Sequence, residues 1–206
     1  MRAVVKLRNY LWRPLSDSDA DADFVIALRS DDRFGKWFYS RVTRESHRQF
    51  VKVAADRPEL NWVMERDGTP IGVSSLYNVD WANRKAECGR IVSLDPRAFH
   101  LNWLVSAVVG EAIGLNRLYL ETLEQNSIIA RGVERLGMTR EGLLRHHVVR
   151  EGQPLNVLVY GMTRDQWDTN KQKLFDKFGT PQVISYEGPR VEPLPAPSQL
   201  VGAGVG

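Results

Sequence analysis

The sequence predicts a mixed α/β protein of the α+β kind, one sheet covered by helices, and three observations carry that reading. Two polar breaks inside apolar runs, Asp67-Gly68 and Glu151-Gly152-Gln153, read as β-hairpin turns. Between them, residues 101–113 form an apolar run that is too long for a typical strand and reads as a mostly buried helix. Third, a run with strand character (Leu118, Tyr119, Leu120) stops at Glu124-Gln125-Asn126. A helix follows from Ser127 to about Leu136, and Gly137 closes it where a left-handed C-cap is needed.

Taken in order, residues 4 to about 15 alternate as a first strand ended by Pro14. Ser16-Asp17-Ser18-Asp19 offers N-caps for a helix whose apolar side is Phe24, Ile26, Ala27 and Leu28. Gly35 then sits in an aromatic patch with Trp37, Phe38 and Tyr39. Thr43 through Ser46 can cap a second helix that Pro58 ends. Residues 61–65 and 71–77 flank the Asp-Gly turn as strands, 78–85 is a polar connection, and 86–94 is a fourth strand broken by Asp95-Pro96. After the long helix and the strand–helix unit, residues 143–150 and 155–162 make the second hairpin. Asp165 can cap a last helix, with Lys171, Lys173 and Lys177 near its C-terminal end. Residues 1–179 read as one domain. Residues 180–206, with five of the ten prolines and a Val-Gly-Ala-Gly-Val-Gly end, read as a flexible tail.

At 206 residues the chain suits one sizeable core. Its net charge of +3 is spread without any block of like charge, so nucleic acid is not an expected partner. The basic residues are mainly Arg, the better fork for phosphate and carboxylate, since only seven of the 28 are Lys. A single cysteine, Cys88, excludes an intrachain disulfide, and the four His lack metal-ligand spacing, so no metal is expected. No apolar run reaches signal-peptide or membrane-helix length, which points to a cytoplasmic protein with no membrane association.

The element order, together with Asn126, Glu134-Arg135-Leu136-Gly137-Met138, Glu141-Gly142 and Arg145, resembles the GNAT superfamily of acetyl-CoA-dependent N-acetyltransferases. Ile71-Gly72, Ala86-Glu87-Cys88-Gly89 and the Glu-Gly-Gln hairpin are most similar to its RimJ/RimL-type branch. Ala27 through Asp32, the aromatic patch, and His47 with Phe50 point towards aminosugar-nucleotide acetyltransferases. The resemblance implies a largely antiparallel sheet splayed between the fourth and fifth strands, with acetyl-CoA as co-substrate and a small-molecule amine as acceptor. A homodimer is compatible with it. Two other activities stay open: acetylation of a protein N-terminus or small amine, and a binding domain without turnover. Two departures motivate the last. The family's glycine-rich phosphate loop is replaced by Leu94-Asp95-Pro96-Arg97-Ala98-Phe99-His100, and its Ser and Tyr positions on the following helix are Ile129 and Val133.

By the same resemblance, backbone groups of Ile91, Val92, Ser93 and Leu94 would pair with pantetheine, and Arg97 and Ala98 would take the phosphates. Asn126 would meet pantetheine, unless it serves as an N-cap. Glu87 is the candidate base, against a strand-end salt bridge. An amine of pKa ~10 is mostly protonated at neutral pH, so a carboxylate acting through water suits the reaction. Arg29, Trp37, His47, Tyr77, Asn78 and Arg145 are candidates for the acceptor side, Arg29 as a diphosphate clamp and the aromatics as stacking surfaces.

Overall fold

The computed structural model describes residues 1–35 and 42–192, so Trp37, Phe38 and Tyr39 lie outside the described residues. Residues 4–15, expected as one strand, form two. β1 (Arg2–Leu7) and β2 (Tyr10–Pro14) are joined by a turn at Arg8-Asn9, with Leu7 opposite Tyr10. Arg8 takes the left-handed conformation there (φ 56°), a position that no glycine marks in the sequence. The Asp-Gly turn forms as expected between β3 (Leu60–Arg66) and β4 (Thr69–Asp80), with Asp67 and Gly68 both at positive φ. β5 (Lys85–Ser93) adds antiparallel to β4.

The helices on the first half are closed by hydroxyl caps. Ser18 caps α1 (Asp19–Ser30), a single turn α2 (Asp32–Gly35) follows, and Thr43 with Ser46 makes a capping box for α3 (Arg44–Ala55). The long helix α4 spans Pro96–Ala112 and starts earlier than expected. Asp95-Pro96 is not a simple break: Asp95 is the N-cap and Pro96 the first residue of the helix. β6 (Arg117–Leu123) leads into α5 (Ser127–Glu134). Gly137 follows at φ 90°, and the Met138 N–H closes onto the Val133 carbonyl at 3.1 Å. β7 (Thr139–Arg150) and β8 (Gln153–Thr163) form the last hairpin. Thr163, rather than Asp165, caps α6 (Arg164–Phe178).

The expectation of a tail from residue 180 is corrected in part. Gln182–Glu187 is a strand, β9, paired antiparallel with β1. Its side chains are mostly exposed, so it lacks an apolar signature, and the unpaired edge of β1 supplies the backbone partners. Residues 193–206 lie outside the described residues.

The described strands form one sheet in the order β7-β8-β6-β5-β4-β3-β2-β1-β9, with β5–β6 its single parallel pair. Alternation splits each strand between two covers. On one face Trp12 donates its indole N–H to Asn102 of α4 at 2.9 Å, and Cys88, Leu118 and Met162 pack with Trp103, Leu104 and Ala107. On the other face Arg13 bridges to Asp21 of α1 (2.7 and 2.9 Å) and to Glu65 (2.6 Å). Among the described residues no helix is long and apolar enough to cross a membrane.

Candidate active site

β5 and β6 pair only at Lys85 with Arg117, Ala86 with Leu118, and Glu87 with Tyr119. Beyond Glu87 the two strands part, as the splayed-sheet expectation requires. A cleft of about 900 Å³ opens between them, lined by Gly89 to Ser93, by Leu120 to Leu123, by Phe99, His100 and Trp103 of α4, and by Asn126 and Ile129 at α5. On β4, Ser74 alone lies between the residues paired with Val92 and Gly89, whereas β5 has Arg90 and Ile91 there. That mismatch is a β-bulge, and Arg90 takes the left-handed conformation in it (φ 50°). For a side chain other than glycine this costs about 1–2 kcal/mol, so the surrounding contacts must hold it.

Those contacts make up one end of the cleft. Tyr77 donates its hydroxyl to Glu87 Oε1 at 2.5 Å, and Asn78 Nδ2 donates to Glu87 Oε2 at 2.9 Å. The Arg90 guanidinium lies 3.9 Å from the centre of the Tyr77 ring and donates to Glu59 Oε2 at 2.5 Å. Glu59 is buried, and Phe50 of α3 flanks the same guanidinium at 5.9 Å. Gly89 completes the packing: a Cβ there would lie 3.0 Å from the Tyr77 oxygen, so only glycine leaves the phenol in place. Burial and then the Glu87 hydrogen bond and charge push the Tyr77 hydroxyl far above its ordinary value, with Arg90 opposing them. Tyr119 is shifted upward as well, by burial and by the charges of Glu87 and Glu121.

The opposite end differs from the expected phosphate cradle. Asp95 is buried at the start of α4. One carboxylate oxygen accepts from the Arg97 N–H at 2.9 Å, and the other accepts from Tyr10 (2.9 Å) and Arg66 (2.7 Å). The Ala98 N–H is spent on the Asp95 carbonyl at 3.1 Å. The helix therefore carries its own anion, which satisfies the amides a phosphate would otherwise use. The assignment of Arg97 and Ala98 as a backbone cradle is corrected on that ground. Leu94 ends this stretch with its side chain exposed and its N–H donating to the Ile71 carbonyl at 2.8 Å. Ile91, Val92 and Ser93 do line the cleft, as does Asn126, which caps α5 through a long 3.5 Å bond from the Ile129 N–H. Trp103 on the cleft wall carries a buried indole N–H with no partner among the described residues. His100 beside it is held below its usual pKa by burial, then by Arg135 and Lys177.

Of the acceptor-side candidates, Tyr77 and Asn78 meet at Glu87, Trp37 lies outside the described residues, and His47, Arg29 and Arg145 stand elsewhere. His47 is buried, and its Nε2 bonds the Ser16 carbonyl at 2.8 Å, tying α3 to the loop before α1. Arg29 is half-buried on α1 and does not line the cleft. Arg145 lies in a shallow recess of β7 with His146 and His147, where the β7–β8 register shifts. Glu141 pairs with Arg117 beside Gly161. Sequence reasoning missed Glu59, Arg90, Phe50 and Gly89 as parts of this site. Gly89 left a trace as a glycine inside a strand pattern, and Phe50 one through its spacing from His47.

The sheet is thus splayed at a bulged strand, with the Glu87 carboxylate at the fork. Residues 10–139 match the family described as acetyltransferase (GNAT) domain, and the chain belongs to that family. It is accordingly an N-acetyltransferase of the family that uses acetyl-CoA. YdaF of Bacillus subtilis (strain 168), provisionally described as a ribosomal N-acetyltransferase, is 24% identical over 174 residues, 77% of this chain and 93% of YdaF. YoaA of the same organism, described as an uncharacterized N-acetyltransferase, is 25% identical over 80% of this chain and 98% of its own length. The fold is shared with the spermidine N-acetyltransferase of Vibrio cholerae, solved with CoA and spermine. The TM-score is 0.68 at 18% identity, covering 77% of this chain and 98% of that one. A GCN5-related N-acetyltransferase from Brucella melitensis gives 0.68 at 23% identity, covering 82% of each chain.

Proposed function

We propose that the protein transfers acetyl from acetyl-CoA to the primary amine of a nucleotide-linked aminosugar for surface glycan synthesis, with Glu87 as base and Tyr77 as acid. The observation that carries the chemistry is the 2.5 Å hydrogen bond from Tyr77 to Glu87 at the point where β5 and β6 separate. Bound in the cleft, acetyl-CoA supplies a thioester. Its carbonyl carbon forms a bond to the amine nitrogen, and its carbon–sulfur bond then breaks. The acceptor's ammonium first gives one proton to solvent, and as the carbon–nitrogen bond forms Glu87, set behind Tyr77, takes the second through water. Tyr77, protonated throughout the neutral range, gives its proton to the departing sulfur. The proton on Glu87 returns to the phenol oxygen along their shared hydrogen bond, and the pair is reset. A backbone N–H of the bulged segment would stabilise the oxyanion.

The acceptor class rests on the lining of the cleft. Among the described residues Arg33, Arg90 and Arg150 line it with Glu121 and the rings of Phe34 and Tyr77, and Arg33 and Arg90 are paired with Asp31 and Glu59. Guanidinium forks beside rings suit an anionic, ring-bearing acceptor. The RimJ/RimL-type wording of the sequence and the relation to YdaF favour a second reading, acetylation of a protein N-terminus. A cytoplasmic setting belongs to both. Thiol release with acetyl-CoA should be measured against a nucleotide-linked aminosugar, the free aminosugar, spermidine and an N-terminal peptide. We expect the lowest KM for the nucleotide-linked sugar. Turnover with the peptide alone would establish the second reading. No turnover with any amine would leave a domain that binds without catalysis.

A further inference from the structure

We infer that Glu59 and Arg90 are positioning residues that hold the Tyr77 hydroxyl on the Glu87 carboxylate. The inference rests on the roles proposed above for Tyr77 and Glu87. Arg90 touches both partners of a mechanical chain. Its guanidinium covers the Tyr77 ring at 3.9 Å and bonds the buried Glu59 carboxylate at 2.5 Å. Glu59 is anchored at the entrance to β3, its N–H bonded to the Arg57 carbonyl at 2.8 Å, and Arg57 lies 3.8 Å from its carboxylate. On the other side the missing Cβ of Gly89 leaves the phenol its place, since a Cβ there would stand 3.0 Å from the phenol oxygen. Tyr77 therefore has a cation over its ring and one strong acceptor for its hydroxyl, Glu87.

The bulge makes this grip available. On a regular strand, residues 89 and 91 would share one face and residue 90 would point to the other. The extra residue turns the Arg90 side chain onto Tyr77, at the cost of a left-handed backbone that arginine rarely adopts. A glycine would relieve that strain but would carry no guanidinium. The side chain, not the backbone, thus explains why arginine stands there. Lysine would keep the charge but lose the flat surface that stacks on the ring.

The test uses Arg90→Gly, Arg90→Lys and the double variant Arg90→Gly/Glu59→Gln. The double variant keeps the fold testable, since it removes both charges and strands no buried carboxylate. The first readout needs no turnover: the NMR signal of Tyr77 Cζ in protein labelled with ¹³C-tyrosine, assigned by its loss in Tyr77→Phe. We expect that signal to move towards those of exposed tyrosines in all three variants, with melting temperature held or raised in the double variant. The second readout is kinetic: kcat for the preferred amine falls by about 10²-fold, as for a misplaced catalytic group, while KM for acetyl-CoA is unchanged. An unmoved Tyr77 signal in the double variant overturns the inference. A signal that moves in a protein that releases no thiol with any amine supports the grip on Tyr77 and removes the acetyl-transfer roles instead.

Discussion

Tyr77 and Glu87 are direct cross-strand partners on β4 and β5, and their side chains meet at 2.5 Å beside the last paired residues of the fork. The phenol lines the cleft and the carboxylate stands behind it, so in the proposed mechanism a proton bound for Glu87 would pass the phenol or a water next to it.

Glu87→Gln keeps one acceptor oxygen for the Tyr77 hydroxyl, turns the oxygen that accepts from Asn78 into a donor, and removes the proposed base. We expect kcat to fall by about 10²-fold or more, typical of a lost general base, with KM for acetyl-CoA preserved. Thiol release followed from pH 6 to 9 checks this. A rate and profile matching the parent protein would show that Glu87 is not the base.

Gly89→Ala places a methyl 3.0 Å from the Tyr77 oxygen, closer than ordinary contact. The phenol, being the end of a side chain, gives way before the strand does. The variant should therefore melt close to the parent while losing most of its kcat. A variant with full activity would mean that the phenol position is irrelevant to catalysis.

Asp95→Asn weakens the N-cap and removes an anion from the start of α4. A lost cap costs about 1–2 kcal/mol, and the amide lowers that because it still accepts a hydrogen bond. Removing the anion should also tighten CoA, since no carboxylate at the start of α4 then opposes its phosphates. Thermal melting and calorimetric titration with CoA check both halves.

Asp21 gives the fold a defined acid sensitivity. Burial raises its carboxyl, but the Arg13 and Ser16 bonds more than offset this, so its pKa stands below the ordinary value near ~4. A depressed carboxylate contributes stability that is present above the unfolded pKa and lost as pH falls through the folded one. Asp21→Ala should cost about 2–3 kcal/mol at pH 7. That is less than the full penalty of breaking a buried pair, since Arg13 keeps Glu65 and is 29% exposed. The difference from the parent should shrink in melts below pH 4.

Local signals were the readable ones. Asp67-Gly68, Gly137, Thr43 with Ser46, and the apolar stretch of α4 each announce their structure within a few residues. The Arg8 turn and β9 do not, since one lacks glycine and the other lacks an apolar face. Asp95-Pro96 was read as a strand-breaker because Pro and a cap look alike at a helix start and at a loop. At the site, Glu87, Tyr77 and Asn78 were visible as strand ends of the right chemistry. Glu59 and Arg90 were not, because 31 residues separate them and their meeting depends on a bulge. His47 looked like an exposed ligand, but packing buries it against Ser16.

The short join between β5 and β6 makes the sheet two slabs, β9 with β1 to β5 and β6 to β8, hinged at three residue pairs and spanned by α4. A thioester arm lying in the gap would act as a missing rung, stitching the slabs where their own backbones cannot reach each other. Loading the cleft would then stiffen the whole molecule and not its rim alone, and release of the product thiol would return it to a looser, two-part body ready for the next acceptor.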